Sequence, residues 1–319
     1  MESAQNLKRR IKSVQNIGTI TKAMELVSAT KMRRSQELAL TSRPYAYAAL
    51  ELLGILSKML EQNEAEGKKI DVPEILKKRT IEKTAFLIFI SDKGLAGSFN
   101  GSVLKKFENF VKFEGIDVKD PKYSFIAIGQ KAKIYLERRK MNVIASFNRV
   151  GDFTKPEETA PIADFLIAGY LSHEFDNVIG FFATFVTALR QDAVARELLP
   201  IDYESIKQSI EETIPRAGRY SEYAKSESFL NVNGDVEYII EPSPKEVLDQ
   251  LAPKLLKIRL YHIILEANAS EHSARRMAMK NASDNAGELS QDLTMEYNKS
   301  RQAAITNQII EITSGAQLT

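Results

Sequence analysis

Cysteine is absent from the 319 residues, which excludes disulfides, thiol nucleophiles and thiolate metal sites. Histidine is scarce. His173, His262 and His272 are widely separated and no two stand at i,i+4, so solvated or packed helical histidines account for them better than metal ligation. No apolar run approaches the ~20 residues of a membrane span. The amino end moves straight into a charged amphipathic pattern without a secretory signal, so the chain reads as soluble or peripheral. An excess of one charge sign is also missing: 44 Lys and Arg stand against 42 Asp and Glu, a formal charge of +2. That argues against a wholesale polyanion binder but permits local patches. Residues 1–43 carry nine Lys or Arg against three Glu, and residues 270–319 five against six acids, which places the basic excess at the amino end.

Glycine and proline are nearly missing from 3–58. There Leu7, Ile11, Val14, Ile17, Ile20, Met24 and Val27 step by three or four and predict one apolar helical stripe. Gly18 weakens the helix, and Pro44 in SRPY should kink or break it. Residues 61–80 are charged and read as a solvated connection. From 84 to about 241 the pattern alternates: candidate strands at 85–90, 123–128, 142–147, 177–187, 194–201 and 235–240, with helical patterns near 100–114, 130–140 and 157–174. Strand, helix, strand order implies a mostly parallel, helix-covered sheet, a Rossmann-like α/β layout. The polar stretch 213–234 reads as an exposed loop.

A second helix starts at Ser243-Pro244-Lys245-Glu246, where Ser243 can cap, Pro244 suits the first turn and Glu246 can close a capping box. Pro253 should bend it. From there to Thr313 only Gly287 interrupts it, and Ser314-Gly315 supplies a stop. Sixty helical residues span roughly 90 Å, more than a domain of about 160 residues can bury, so the apolar stripe needs another partner. Ala282, Ala286, Leu289, Leu293, Tyr297, Ser300 and Ala304 keep three-four spacing, and Ala23, Ser28, Ala29 and Thr30 give the first helix a similarly thin stretch. The inference is an antiparallel coiled coil of the two chain ends with the α/β domain inserted between them. Periodicity alone fits two arms of an ordinary helical bundle equally well.

The glycine turn SDKGLAGSFNG at 91–101 tests nucleotide chemistry. Gly94, Gly97 and Gly101 match neither the dinucleotide fingerprint nor the Walker loop. The turn reads instead as a tight strand-to-helix connection whose glycines allow close packing, with Asn100 or Ser98 as a helix cap. Glu157-Glu158, Glu211-Glu212 and Asp249 have no nearby His or Lys pattern suggesting a proton donor and read as solvated faces. Lys8-Arg9-Arg10 with Lys12, and Lys31 with Arg33 and Arg34, can touch nucleic acid or an acidic protein surface, but aromatics and a recognition motif are lacking. Near the carboxy end Asn298, Lys299, Arg301, Gln302, Thr306, Asn307 and Gln308 ring a helix whose tip carries Ile305, Ile309, Ile310 and Ile312. So apolar a tip requires something outside this chain around it.

Four motifs carry a family resemblance: IKSVQNIGTITKAMELVSATKMRRSQ at 11–36 with SRPYA at 42–46, SDKGLAGSFNGSVLKKF at 91–107, IIEPSPKEVLD at 239–249, and ASEHSARRMAMKNASDNAGELSQDLTMEYNKSRQAAITNQIIEITSGA at 269–316. In this order, over essentially the full chain, they resemble the gamma subunit of F-type ATP synthase, the central stalk.

The resemblance implies an antiparallel coiled-coil shaft of residues 1–60 and 242–319, and a Rossmann-like foot at 80–241. The shaft enters the ring of alpha and beta subunits; the foot lies beside the epsilon subunit and the membrane c-ring, with one copy per complex. It also implies no bound nucleotide or other cofactor, no metal, no catalysis by the chain alone, no nucleic-acid partner, and a peripheral place on the cytoplasmic face of a bacterial plasma membrane. Met24, Arg33, Arg34, Arg276, Arg301, Gln302 and Thr306 fall at family positions for subunit contact or coupling. Plain coiled-coil packing accounts for Met24 equally, and solvated helix positions for the polar residues. Ala96 and Ser98 stand where the family often has Cys and Gly, and Gly18-Thr19 replaces a more polar pair. The cysteine-containing regulatory insertion of chloroplast members is absent.

Overall fold

A computed structural model describes residues 4–65, 73–150, 155–201, 241 and 243–316. The expected loop at 213–234, the strand at 235–240 and the acidic pair Glu211-Glu212 lie outside the described residues. The elements are helix α1 (Ala4–Ala65), a 3-10 turn (Glu74–Leu76), β1 (Thr84–Phe89), α2 (Phe99–Phe113), β2 (Tyr123–Ile128), α3 (Gln130–Arg138), β3 (Val143–Phe147), α4 (Pro156–Leu171), β4 (Asn177–Thr187), β5 (Arg190–Leu199) and α5 (Pro244–Ala316). The chain divides into two compact units, Met1–Ala29 with Arg275–Thr319, and Thr30–Ala274.

The larger unit holds a five-stranded sheet of order β3-β2-β1-β4-β5. β1 pairs in parallel with β2 and β4, β2 with β3, and only β5 runs antiparallel, against β4. A central strand covered on both faces reads as a continuous apolar run, and every residue of β1 is buried. Its side chains alternate between two cores. Ala85, Leu87 and Phe89 join α4 and the first part of α5; Phe86 and Ile88, with Ile90 just past the strand, join α2 and α3. Phe86 stacks edge-on or tilted against Phe107, Phe110, Tyr123, Phe125 and Phe181 at centroid distances of 5.6 to 6.2 Å.

Several local expectations are corrected. β5 begins at Arg190, not 194, because Ala188-Leu189 form a tight hairpin in which the Thr187 hydroxyl accepts from the Leu189 and Arg190 N–H groups. Of the kink or break expected at Pro44, the break does not occur: α1 runs on through Pro44, as α5 runs on through Pro253. Each proline forfeits one backbone bond, but buried neighbours hold the helix on both sides: Ala39 and Ile55 for Pro44, Ala252 and Leu255 for Pro253. The α/β domain covers only the first part of α5, in keeping with the expectation that so long a helix needs a further partner. Leu248, Ala252, Leu255, Leu256, Leu260, Ile263, Ile264 and Ala267 form one wall of the sheet's core. Arg259 donates to the carbonyls of Glu197 (2.7 Å) and Leu198 (3.4 Å), Asn268 to Val150 (2.9 Å), and Ser273 to Ala188 (2.7 Å). His262 and His272 are buried there, packed helical residues as expected.

The described part of the 61–80 connection is only partly solvated: Glu74, Lys78 and Thr80 are exposed, as expected, but others are not. Ile75 is buried, and Arg79 binds the Asp176 carboxylate at 2.9 Å while donating to the carbonyls of Tyr170 and Phe175. Burial pushes the Asp176 carboxyl upward, but the Lys83 and Glu82 N–H donors and the Arg79 charge outweigh it and hold it below the usual range. At the start of α5 the Glu246 N–H donates to Ser243 Oγ (3.3 Å), the cap expected of Ser243, and Ser243 Oγ donates to Glu246 Oε1 (3.0 Å), a bond between the two side chains.

Candidate functional site: the paired terminal helices

In the smaller unit the amino-terminal part of α1 pairs with the carboxy-terminal part of α5. Gly18 faces Ser283 and Ala286, Lys22 feels the charge of Asp284, and Glu25 that of Arg276 and Lys280. Numbers rise along one helix as they fall along the other, so the pairing is antiparallel. Buried or half-buried positions on α1 recur at Leu7, Ile11, Val14, Gly18, Thr21, Glu25 and Ser28. That is a three-four heptad seam.

The seam departs from the expected apolar stripe after Val14. Ile17, Ile20 and Val27 are 53%, 59% and 56% exposed, whereas Thr21, Glu25 and Ser28 are 8%, 8% and 3% exposed. Stepping by three from Val14 reaches Ile17; stepping by four reaches Gly18, and both continuations have helical spacing. The partner helix decides between them. It presents Ala286 at this level, and a Cβ added to Gly18 would stand 3.5 Å from the Ala286 Cβ, a spacing two facing isoleucines could not share. The large side chains turn outward. Thr21 and Ser28 spend their hydroxyls on their own helix, donating to the carbonyls of Ile17 and Gly18, and of Met24. On α5, Arg275, Met279, Ala286 and Leu293 are buried, Ser290 replaces Leu289 as the inward residue, and Leu289 is 45% exposed.

Glu25 is the ionisable residue in the α1 seam. Its Oε2 accepts from Lys22 Nζ at 2.8 Å. That hydrogen bond holds its carboxyl below the usual range, with burial opposing and the charges of Lys22, Arg276 and Lys280 assisting. The same bond and the Glu25 charge, then Asp284, hold Lys22 above its ordinary value. Beside the seam runs an open groove of about 640 Å³, lined among others by Val14, Gly18, Lys22, Leu26, Ser283 and Gly287.

The expected contact residues fall into three groups. Met24 and Arg276 are half-buried and flank Glu25, one by sequence and one by charge. Arg301, Gln302 and Thr306 are exposed, about 38 to 45 Å further along α5 from Arg276 at ~1.5 Å per residue. Thr306 donates its hydroxyl to the Gln302 carbonyl at 2.9 Å, so its outward surface is largely its methyl. Arg33 and Arg34 are exposed on α1 within the larger unit. From 304 to 310 every residue is exposed, with Ile305, Ile309 and Ile310 at 47%, 57% and 54%. Periodicity missed Glu25 with Lys22 and Lys280: a heptad counted from Leu7 through Gly18 reaches Glu25, but spacing alone favours Gly18 no more than Ile17.

The turn after β1 is locked from within. The Ser91 N–H donates to Asn100 Oδ1 (3.0 Å), Ser91 Oγ donates to the Lys93 carbonyl (2.6 Å), and the Gln130 N–H donates to Asp92 (3.0 Å). Asn100 therefore ties the turn together instead of capping α2, and Ser98 makes no side-chain cap bond. Gly94 and Gly101 are not needed for close packing as expected, since a Cβ at either would meet nothing within 4 Å, whereas Gly97 supplies a left-handed turn residue with φ of 57°. The close approach is at Gly129, with φ of 93° and the Ile90 carbonyl oxygen 1.9 Å from where a Cβ would stand. Among the described residues no group of three or more His, Asp or Glu is arranged to hold a metal, and no helix is long and apolar enough to cross a membrane.

A family model described as ATP synthase matches residues 3–317. The ATP synthase gamma chain of Roseiflexus castenholzii is 38% identical over 321 residues, covering 99% of this chain and 98% of the relative. That of Geotalea daltonii is 38% identical over 317 residues, covering 99% of both. The chain belongs to the ATP synthase gamma-chain family. Among solved structures, a chain of the Euglena gracilis mitochondrial ATP synthase assembly of OSCP, F1 and c-ring aligns with a TM-score of 0.61 at 15% identity, over 98% of this chain and 93% of that one. A chain of the Tetrahymena thermophila central stalk and c-ring aligns with a TM-score of 0.56 at 22% identity, over 83% and 99%. The gamma fold, a mixed α/β sheet with terminal helices that pack together, is thus shared across this distance.

Proposed function

We propose that this chain is the rotor shaft of a proton-transporting F-type ATP synthase, non-catalytic by itself, one copy per complex. In this reading residues 1–60 and 242–319 form the shaft inside the ring of alpha and beta subunits, and 80–241 the foot that meets the epsilon subunit and the membrane c-ring. The complex sits on the cytoplasmic face of a bacterial plasma membrane.

The observation that carries this reading is the inverted surface of the paired helices. Ile17, Ile20, Leu26, Val27, Ile305, Ile309 and Ile310 all face outward, while between Gly18 and Ser28 the α1 seam holds only Gly18, Thr21, Glu25 and Ser28. Apolar side chains arrayed along both helices fit a protein sleeve around them and are a liability in water. A shaft biases surrounding sites only through contacts that differ among their conformations. Driving one site from about 1:99 to 99:1 takes roughly 5.5 kcal/mol of differential interaction, which several outward apolar residues with Met24, Arg33, Arg34, Arg276, Arg301, Gln302 and Thr306 can supply together. Relatives named ATP synthase gamma chain and neighbours from an assembly of OSCP, F1 and c-ring and from a central stalk with c-ring support the same partners.

The test is proton-driven ATP synthesis in membrane vesicles carrying the whole complex. Removing the chain after Thr306 should weaken coupling partially, and removing everything from 282 should abolish it. Full synthesis after the longer deletion would overturn the shaft reading.

A further inference from the structure

We propose that the amino edge of the sheet, where its parallel strands begin, docks on an anionic lipid surface, with Phe113 as apolar anchor and Lys112, Lys119 and Lys140 as the cations that meet phosphate headgroups. Thr84 opens β1 and pairs with Tyr123 of β2 and Asn177 of β4, and the Phe125 N–H donates to the Asn142 carbonyl just before β3. The segments 77–83, 112–122, 138–142 and 171–176 therefore all come to this one edge. They carry ten Lys or Arg against six Asp or Glu, where the whole chain has a formal charge of only +2. Arg79, Lys122 and Arg139 pair with carboxylates; Lys112, Lys119 and Lys140 are exposed. The same edge exposes three large apolar side chains, Phe113 at 87%, Ile81 at 54% and Leu171 at 50%.

These three stand on α2 at one face of the sheet, on α4 at the other and at the entry to β1 between them. A protein interface needs a contiguous core from which water is excluded. A lipid interface does not: single aromatic or aliphatic side chains enter between headgroups one at a time, and each nearby Lys or Arg adds attraction to anionic phosphate. The carboxy edge exposes Leu95 at 63%, but its segments 90–98 and 148–150 hold two cations and one acid, so it lacks the charge. α5 crosses the unit from the first edge to the second, since Arg259 donates to the carbonyls of Glu197 and Leu198 where β5 ends, and Ser273 to that of Ala188 in the β4–β5 hairpin. The amino edge is thus the end of the sheet unit away from where α5 leaves it. The proposal rests on the rotor reading for a membrane at that end, and on this unit alone for the binding.

The absence of cysteine permits single labels at opposite edges. Ser172, beside Leu171 at the amino edge, and Ser98, at the carboxy edge, are both exposed. In the full chain, an environment-sensitive dye on Ser172→Cys should shift to the blue with phosphatidylglycerol vesicles and stay unchanged with phosphatidylcholine vesicles, while the dye on Ser98→Cys stays unchanged with both. Lys112→Ser with Lys119→Ser should raise the lipid concentration for a half-maximal shift about 10- to 30-fold, and Phe113→Ser about five- to tenfold. All three side chains are exposed, so folding is spared. The proposal is overturned if the Ser172 label does not respond, if the Ser98 label responds as strongly, or if the substitutions leave the midpoint unchanged. A response to soluble polyglutamate but not to vesicles overturns it too, and assigns the edge to an acidic protein. None of these outcomes touches the rotor reading, which the deletion from 282 tests.

Discussion

The sheet unit and the paired helices solve opposite problems with similar material. In the sheet unit the large apolar side chains converge: Phe86, Phe107, Phe125 and Phe181 fill one core, and Leu87, Phe89, Tyr170 and Phe182 the other. In the paired helices Gly18, Thr21, Ser28 and Ala286 meet in the seam, while Ile17, Ile20 and Val27 face out. The first arrangement spends apolar area on internal stability, at roughly 25 cal/mol per Å² buried. The second withholds that area and leaves it on the surface for a partner. Loss of a large apolar side chain should therefore unfold the sheet unit, whereas in the paired helices it should spare folding and weaken contacts with a partner.

The largest effect should come from Phe86→Ala. Loss of a ring that is 1% exposed and meets five aromatic neighbours should cost about 3–5 kcal/mol, read as a lower denaturant midpoint for the sheet unit. Asp176→Ala should follow at about 2–4 kcal/mol, because it strands the partly buried Arg79 guanidinium. The same carboxylate predicts an acid limb in the stability of the sheet unit. Its folded value is depressed, so its contribution is present above the ordinary Asp pKa of ~3.9 and is lost as pH falls through the folded value. Glu25 has a depressed value too, and helix pairing should weaken in the same direction, below the ordinary Glu pKa of ~4.3. A chain whose stability is flat between these values and pH 2 would remove the electrostatic half of the comparison.

In the paired helices the expectation reverses. The double substitution Ile17→Ser, Ile20→Ser should change the stability of the isolated chain by no more than about 0.5 kcal/mol per site, as for ordinary surface positions. ATP synthesis by the assembled complex should nevertheless fall. If the isolated chain melts far earlier, those isoleucines are holding the chain itself together and the contrast drawn above is wrong. The smallest effect should be Gly18→Ala: the added Cβ meets only an ordinary contact at 3.5 Å, and removing a mid-helix glycine should stabilise by about 0.5–1 kcal/mol, measured by thermal unfolding.

Much of the larger unit was legible in sequence. β2 and β4 lie at their expected residues and β1 and β3 within one of them, because strands buried on both faces are written as apolar runs. The cap at Ser243 was legible because its chemistry is local. The hairpin at 188–189 and the lock of Arg79 on Asp176 were not, since each depends on backbone groups brought together by the fold. At the candidate site, the exposed isoleucines of the α5 tip could be read as outward-facing from their number and position. The burial of Glu25 could not, because a helical wheel gives Ile17 and Gly18 equal claim to the seam.

The amino-acid sequence by itself determined the element order, the parallel core strands, the two long helices and the family. Those follow from periodicity, composition and local chemistry, which act over a few residues at a time. Only the tertiary structure decided which face of α1 turns inward, because that choice belongs to the pair: Ala286 and Ser283 on the opposite helix admit Gly18 and Thr21, and so turn Ile17 and Ile20 towards whatever surrounds them.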